Sequence, residues 1–251
     1  MVLRALKHSV LAAFLATAAV GVGTGTVMAQ STLPPALQAA VNSGNAQAIA
    51  QAINTISRGN PAQTASLAAE VAARAEQLLT TDPQAAVSLA LAAVNIVAAT
   101  PIQTGAPQAT LATITTAARI FASPAAQRVA PQQVATGTVQ ATQIAATPAV
   151  YAVNPQRVIQ LMASLYQTAQ SPVLLANVPS LQANVVQILA SASQSNALNG
   201  ANPANSAQIQ QILAQGGADG RPNRPEGATG ANNPSESPLR IEDSRNQASP
   251  T

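Results

Sequence analysis

The 251-residue chain has no cysteine and no tryptophan, and its charged residues amount to 8%. Its only lysine and only histidine, Lys7 and His8, stand side by side near the start. Without cysteine there are no disulfides and no lipid-anchoring thiol, so stability rests on packing alone. Aromatics are equally sparse, at 2%.

These absences remove most catalytic parts. Residues 1–29 combine a basic start (Arg4, Lys7), an apolar run from Val10 to Val22 and a Val27-Met28-Ala29 ending. That is the pattern of a Sec-type signal peptide cleaved after Ala29. As a membrane anchor the run is short and loosens into GVGTGT, whereas a span needs about 20 strongly apolar residues. The basic, Ala-rich leader is bacterial in type and predicts a periplasmic or secreted protein with no membrane insertion after signal removal. Cleavage also removes Lys7 and His8, leaving no imidazole base, thiolate or Schiff-base amine.

The basic isoelectric point misleads. Residues 30–216 hold Arg58, Arg74, Arg119, Arg128 and Arg157 against Glu70, Glu76 and Asp82, and residues 217–251 hold four arginines against five acids. The processed chain is nearly neutral. It carries no electrostatic footprint for nucleic acid or an anionic bilayer.

What the chain has in abundance is alanine, glutamine and regularly placed proline. Pro83, Pro107, Pro131, Pro155, Pro179 and Pro203 recur with a constant 24-residue period, and Pro61 falls just short of one period before the first. A second series, Pro101, Pro124, Pro148 and Pro172, keeps nearly the same period. Aligned units read DPQAAVSLALAAVNIVAATPIQTG, APQATLATITTAARIFASPAAQRV, APQQVATGTVQATQIAATPAVYAV, NPQRVIQLMASLYQTAQSPVLLAN and VPSLQANVVQILASASQSNALNGA. A sixth, NPANSAQIQQILAQGG, stops at its glycines. A fixed period of this kind is the signature of a repeat architecture.

Each unit predicts a long helix followed by a short one. Proline suits the first helical turn because its missing N–H has no intrahelical partner there. Asn60, Asp82, Asn154 and Asn202 precede four of the prolines and can cap the helix start, while Ala106, Ala130 and Val178 cannot. Thr100, Ser123, Thr147 and Ser171 precede the second prolines and predict capped short helices. Ser195-Asn196-Ala197 keeps the polar cap and loses the proline. Apolar stripes follow the helical period: Val158, Ile159, Leu161, Met162 and Leu165 in one unit, Val185, Val186, Ile188 and Leu189 in the next. The units before Asp82 are irregular, as terminal repeats of a capped array are, and Gly59 suits a helix C-terminus.

A helix of about fifteen residues is marginal alone, so stacking must supply the core. The expected fold is all-α: a helical repeat array over residues 30–216, stacked as an α-solenoid or, alternatively, as an up-and-down helical array. The period is too short for the ~34-residue tetratricopeptide unit. Residues 217–251 are rich in Gly, Pro, Asn and Ser and predict a disordered tail. Within it, PLRI could act as a short docking motif.

Few constellations could carry chemistry. Glu70 and Arg74 are four apart in the order that favours a surface ion pair. With Glu76 and Asp82 they form the nearest approach to an acid/base or cation site, but a solvated helix face accounts for them as well. Arg119, Arg128 and Arg157 fall at different places in their units, so no basic stripe forms. Threonines make no regular ladder, and Phe121, Tyr151 and Tyr166 read as packing residues rather than a stacking platform. No cofactor, metal or catalytic residue is expected. The reading that remains is an exported, non-catalytic interaction scaffold with an unidentified protein partner. A self-assembling envelope protein and a carboxylate-dependent enzyme using Glu70 and Glu76 are the alternatives.

Overall fold

The computed structural model describes residues 33–215, and among these every regular element is a helix. The leader, residues 1–29, and the tail, residues 217–251, lie outside the described residues. Fourteen helices follow in order: α1 Pro35–Asn42, α2 Ala46–Ser57, α3 Pro61–Leu78, α4 Pro83–Val97, α5 Thr100–Gly105, α6 Pro107–Ala122, α7 Pro124–Val129, α8 Pro131–Ala145, α9 Pro148–Val153, α10 Pro155–Ala169, α11 Pro172–Asn177, α12 Leu181–Ser193, α13 Asn196–Ala201 and α14 Asn205–Gln215. From α4 onward, long and short helices alternate.

Proline opens most of them for the reason given by its chemistry. Pro61, Pro83, Pro107, Pro131 and Pro155 are first residues of long helices, and Pro124, Pro148 and Pro172 of short ones. Asn60, Asp82 and Asn154 accept from the backbone N–H of Gln63, Ala85 and Arg157 at 3.1, 2.9 and 3.1 Å. Ala106 and Ala130 provide no side-chain cap, yet their backbone (φ −145, ψ 56 and φ −141, ψ 52) closely follows that of Asp82 (φ −143, ψ 80). Each closes one helix and opens the next.

Two expectations need correction. Pro179 and Pro203 stand two positions ahead of α12 and α14. There the first turn is closed by short-range bonds, Leu181 N–H to Val178 and Asn205 N–H to Asn202, and the proline sits in a tight turn. The hydroxyls of the second series do not cap either. Ser123, Thr147 and Ser171 occupy the N-cap position without a capping bond, and Thr100 lies inside α5. Thr147 Oγ1 instead donates to the carbonyl of Ile144 at 2.7 Å, and Ser171 Oγ to Gln127 Oε1 at 2.6 Å. The hydroxyls satisfy the outgoing helix or a neighbour rather than the incoming turn. Ser195, with no proline after it, does cap, accepting from Leu198 N–H at 3.4 Å.

The long helices sort into two rows by what they touch. In one, α2 packs on α4, α4 on α8 and α8 on α12; in the other, α3 packs on α6, α6 on α10 and α10 on α14. Each long helix from α3 onward also packs on the next long helix in the chain, which belongs to the other row. Side-chain contacts give the directions. Gly105, ending α5, lies against Pro61 at the start of α3, where an added Cβ would stand 2.9 Å from the proline ring. Because α6 begins at Pro107, α3 and α6 start at the same end. Their far ends meet where Arg119 Nε and Glu76 Oε1 pair at 3.0 Å. Ser88 and Gln133, near the starts of α4 and α8, hydrogen-bond at 3.4 Å, as do Gln208 and Gln156, near the starts of α14 and α10, at 3.3 Å. Within the rows, α3 and α6, α4 and α8, and α10 and α14 thus run parallel, and α4 starts where α3 ends.

The core is built largely from alanine, with Ala65, Ala68, Ala72, Ala86, Ala90 and Ala93 all buried, and from larger side chains such as Leu89, Ile114, Phe121, Tyr151, Met162 and Leu165. Gly137 marks a tight approach. A Cβ there would lie 2.3 Å from the ring of Phe121, so α8 needs a residue without a side chain to seat that ring. Buried threonines are satisfied within their own helices: Thr113, Thr138, Thr142 and Thr168 donate to the carbonyl one turn back. Thr110 Oγ1 is buried with no hydrogen-bond partner.

Candidate functional site

The chemistry-bearing residues singled out above are dispersed into structural roles. Glu70 and Arg74 form no ion pair; Arg74 Nη1 donates to Gln77 Oε1 at 2.8 Å, and Glu76 pairs across helices with Arg119. Arg119, on the neighbouring helix of the same row, presents its guanidinium to Glu76 through both Nε and Nη2. Asp82 is occupied as the cap of α4. No group of three or more His, Asp or Glu side chains that could hold a metal ion exists among the described residues. Phe121, Tyr151 and Tyr166 are buried in the core. Burial raises the Tyr151 hydroxyl above its ordinary pKa, and the hydrogen bond from Asn202 Nδ2 at 3.1 Å opposes that shift.

What the fold brings together is an uncharged surface. The helices α2, α4, α8 and α12 contain no Asp, Glu, Lys or Arg, while Glu70, Arg74, Glu76, Arg119 and Arg157 all lie on α3, α6 and α10. Equivalent positions two units apart fall on neighbouring helices of one row. The uncharged row therefore aligns Ser88 with Thr136 and Asn184, and Asn95 with Gln143 and Ser191. Thr136 and Asn184 line one groove and Gln143 and Ser191 another, neighbours that a unit-by-unit comparison hides because adjacent units belong to opposite rows.

Grooves run between the helices of this row. One of about 670 Å³ lies between α8 and α12, lined by Val139, Gln143, Ala146, Gln187, Ile188 and Ser191 among others. A second, about 300 Å³, shares Val139 and Asn184 with it and extends past Gln132, Thr136, Gln140 and Leu181. A third, about 400 Å³, lies between α2 and α4. It uses Ala92, Asn95, Ile96 and Ala99 of the α4 unit, the same unit positions as Ile188, Ser191, Ala192 and Ser195 in the first groove. No ionisable side chain lines any of the three. Ile188, expected on the buried stripe, is only half-buried and forms part of a groove wall. Gln140 Oε1 is buried there without a hydrogen-bond partner.

A capping device also escaped sequence reasoning. Gln103, Gln127 and Asn199 stand at the same unit position and donate to the carbonyls of Ala98, Phe121 and Ser193 at 2.7, 3.0 and 3.2 Å. Each closes the C-terminal end of the long helix before it. The sequence signal was an amide at a fixed place in three units, obscured because Tyr151 and Leu175 occupy it in the other two. With this geometry in hand, comparison with known proteins finds no matching family model, no matching curated protein and no matching solved structure.

Proposed function

We propose that this chain is an exported, non-catalytic helical-repeat scaffold that presents its uncharged row to a protein partner in the bacterial periplasm or outside the cell. The observation that carries this reading is the segregation of charge: the grooves lie on the row without ionisable residues, and the long-helix charges lie on the other. A docked partner then leaves no charge desolvated without a counter-ion. Amides and hydroxyls along the grooves can exchange water for polar groups of the partner, with Val139, Ile96 and Ile188 as apolar contacts.

The same reading takes the helices as a two-row α-solenoid whose structural repeat is a pair of consecutive units, with long helices alternating in direction. It thus joins the curved stack and the up-and-down array in one arrangement. The irregular first units support a capped monomer rather than an open-ended stack. The scarcity of catalytic side chains supports a binding rather than a catalytic role, and no described helix is long and apolar enough to cross a membrane.

Photo-crosslinking residues at Gln143 and Gln187, compared with Arg74 and Arg157, test the proposal in the native envelope. The expected result is an adduct with another protein from the first pair and none from the second. Equal labelling from both rows overturns the docking face. Adducts of this chain alone, together with polymer in light scattering, replace it with a self-assembling envelope protein.

A further inference from the structure

The three amides that close long helices hold the same kind of carbonyl and differ in their own chemistry. Gln103 and Gln127 are followed by Thr104 and Arg128, whereas Asn199 is followed by Gly200, the only Asn-Gly pair in the 251-residue chain. An asparagine amide can be attacked at Cγ by the backbone nitrogen of the next residue, closing a five-membered ring. Glutamine would have to close a larger and slower-forming ring, and a side chain on the following residue screens the nitrogen. Of the three, Asn199 alone has both the short side chain and the bare neighbour.

Nothing in the fold requires that glycine. Gly200 is exposed, its φ is not positive, and no atom lies within 4 Å of the place its Cβ would take. The same unit position holds Thr104, Arg128, Ala152 and Ala176 in the other short helices. Glycine there weakens α13, a helix of 6 residues whose one buried side chain is Leu198. Ring closure needs a backbone turned out of the helical region, and a short helix held by one anchor opens at low cost.

We propose that Asn199 is a self-modification site whose conversion to an acid releases the last helical unit of the array. The Gly200 backbone nitrogen, giving its proton to solvent base, bonds to Asn199 Cγ; the Cγ–Nδ2 bond breaks, and ammonia leaves with a proton taken from water. A water molecule then opens the succinimide at either carbonyl, yielding aspartate or isoaspartate. The reaction strikes a junction of three helices. Asn199 Nδ2 donates to the Ser193 carbonyl at the end of α12 at 3.2 Å, and Asn199 Oδ1 accepts from Asn205 Nδ2 at the start of α14 at 2.9 Å. A carboxylate keeps the second bond, loses the first, and sets an acceptor against the Ser193 acceptor. Isoaspartate also carries the backbone through its Cβ and ends the helical register of α13. Asn205 is fully buried, and its Nδ2 also reaches the Ala192 carbonyl at 3.0 Å, so the junction has little room to adjust. Conversion therefore loosens α13 and α14, and α14 is the helix that packs on α10 and α12.

Purified full-length protein, kept in warm and mildly alkaline buffer and mapped by peptide mass, tests this. The expected result is conversion at Asn199 before any other asparagine of residues 33–215, giving both aspartate and isoaspartate, at a rate that rises with pH. Gly200→Ala should slow it by about tenfold or more, while Gln103 and Gln127 stay amides. In hydrogen exchange, Asn199→Asp should speed the exchange of α14 by about tenfold and leave α3 and α6 unchanged. Gly200→Ala, which keeps the amide, should leave α14 as in the parent protein. Earlier conversion at another asparagine of residues 33–215, or an equal rate in Gly200→Ala, overturns the site. A rate independent of pH overturns the ring-closing step. Conversion at Asn199 with no change in α14 exchange overturns the release of the last unit.

Discussion

The two rows of long helices are made by the same repeating unit and have opposite surfaces. The row containing α3, α6 and α10 carries five charged residues and an inter-helix ion pair, whereas the row containing α4, α8 and α12 carries none and bears the grooves. Packing does not demand this difference, because both rows bury alanine and aliphatic side chains in the shared core. An exposed ion pair such as Glu76–Arg119 adds at most about 1 kcal/mol. The asymmetry is the feature on which the proposed docking face rests.

The comparison can be broken most severely by length. Deleting residues 106–129 removes one unit and shifts every later helix into the opposite row with its direction reversed, so the shortened chain should lose cooperative thermal unfolding. Deleting residues 106–153 removes two units, keeps each later helix in its own row, and should retain it. If both deletions unfold alike, the rows are not the organising feature.

A smaller disruption targets the close contact of Gly137 with the Phe121 ring. Gly137→Leu drives a side chain into Phe121 and should lower stability by about 3 kcal/mol in denaturant titration; Gly137→Ala should cost less, because the helix-propensity gain of about 1 kcal/mol partly offsets the clash. Equal stability in all three would mean that the α6–α8 approach is not tight.

Helix starts offer a sharper comparison at a lower energy. Asn154→Ala removes the cap of α10 and should cost about 1 kcal/mol. Ala106→Asp should gain up to about 1 kcal/mol at α6, since its backbone already resembles that of Asp82. Tyr151, on the short helix α9, tests burial through pH. Its native pKa is raised, so the protonated form is favoured by folding. Its contribution is complete below the unfolded value of about 10 and is lost as pH rises beyond it through the native pKa. Tyr151→Phe should flatten that alkaline loss in a pH series of melting curves. Least of all, Gln143→Arg on the uncharged row should move stability by no more than about 0.5 kcal/mol while reducing partner adducts.

Legibility followed the range of the physics. Helix starts at Pro61, Pro83, Pro107, Pro131 and Pro155, and caps at Asn60, Asp82 and Asn154, depend on groups within one turn and were readable residue by residue. Two hydroxyls before the second prolines failed as caps because other partners won: Thr147 turned back to Ile144 on the outgoing helix, and Ser171 found Gln127, 44 residues away. Glu76 likewise chose Arg119, 43 residues on, over any neighbour on its own helix.

By itself, the sequence determined that the described residues are helical, where most helices begin, and which stripes are apolar, since proline geometry, capping and the helical period are local. Only the tertiary structure decided that consecutive units alternate between rows. That alternation doubles the spacing at which equivalent positions become neighbours, gathers the charges on one side and aligns the amides on the other. The physical reason is that a lone amphipathic helix carries no record of which neighbour covers it; the choice is made when α4 packs on α3 and α6 packs on both.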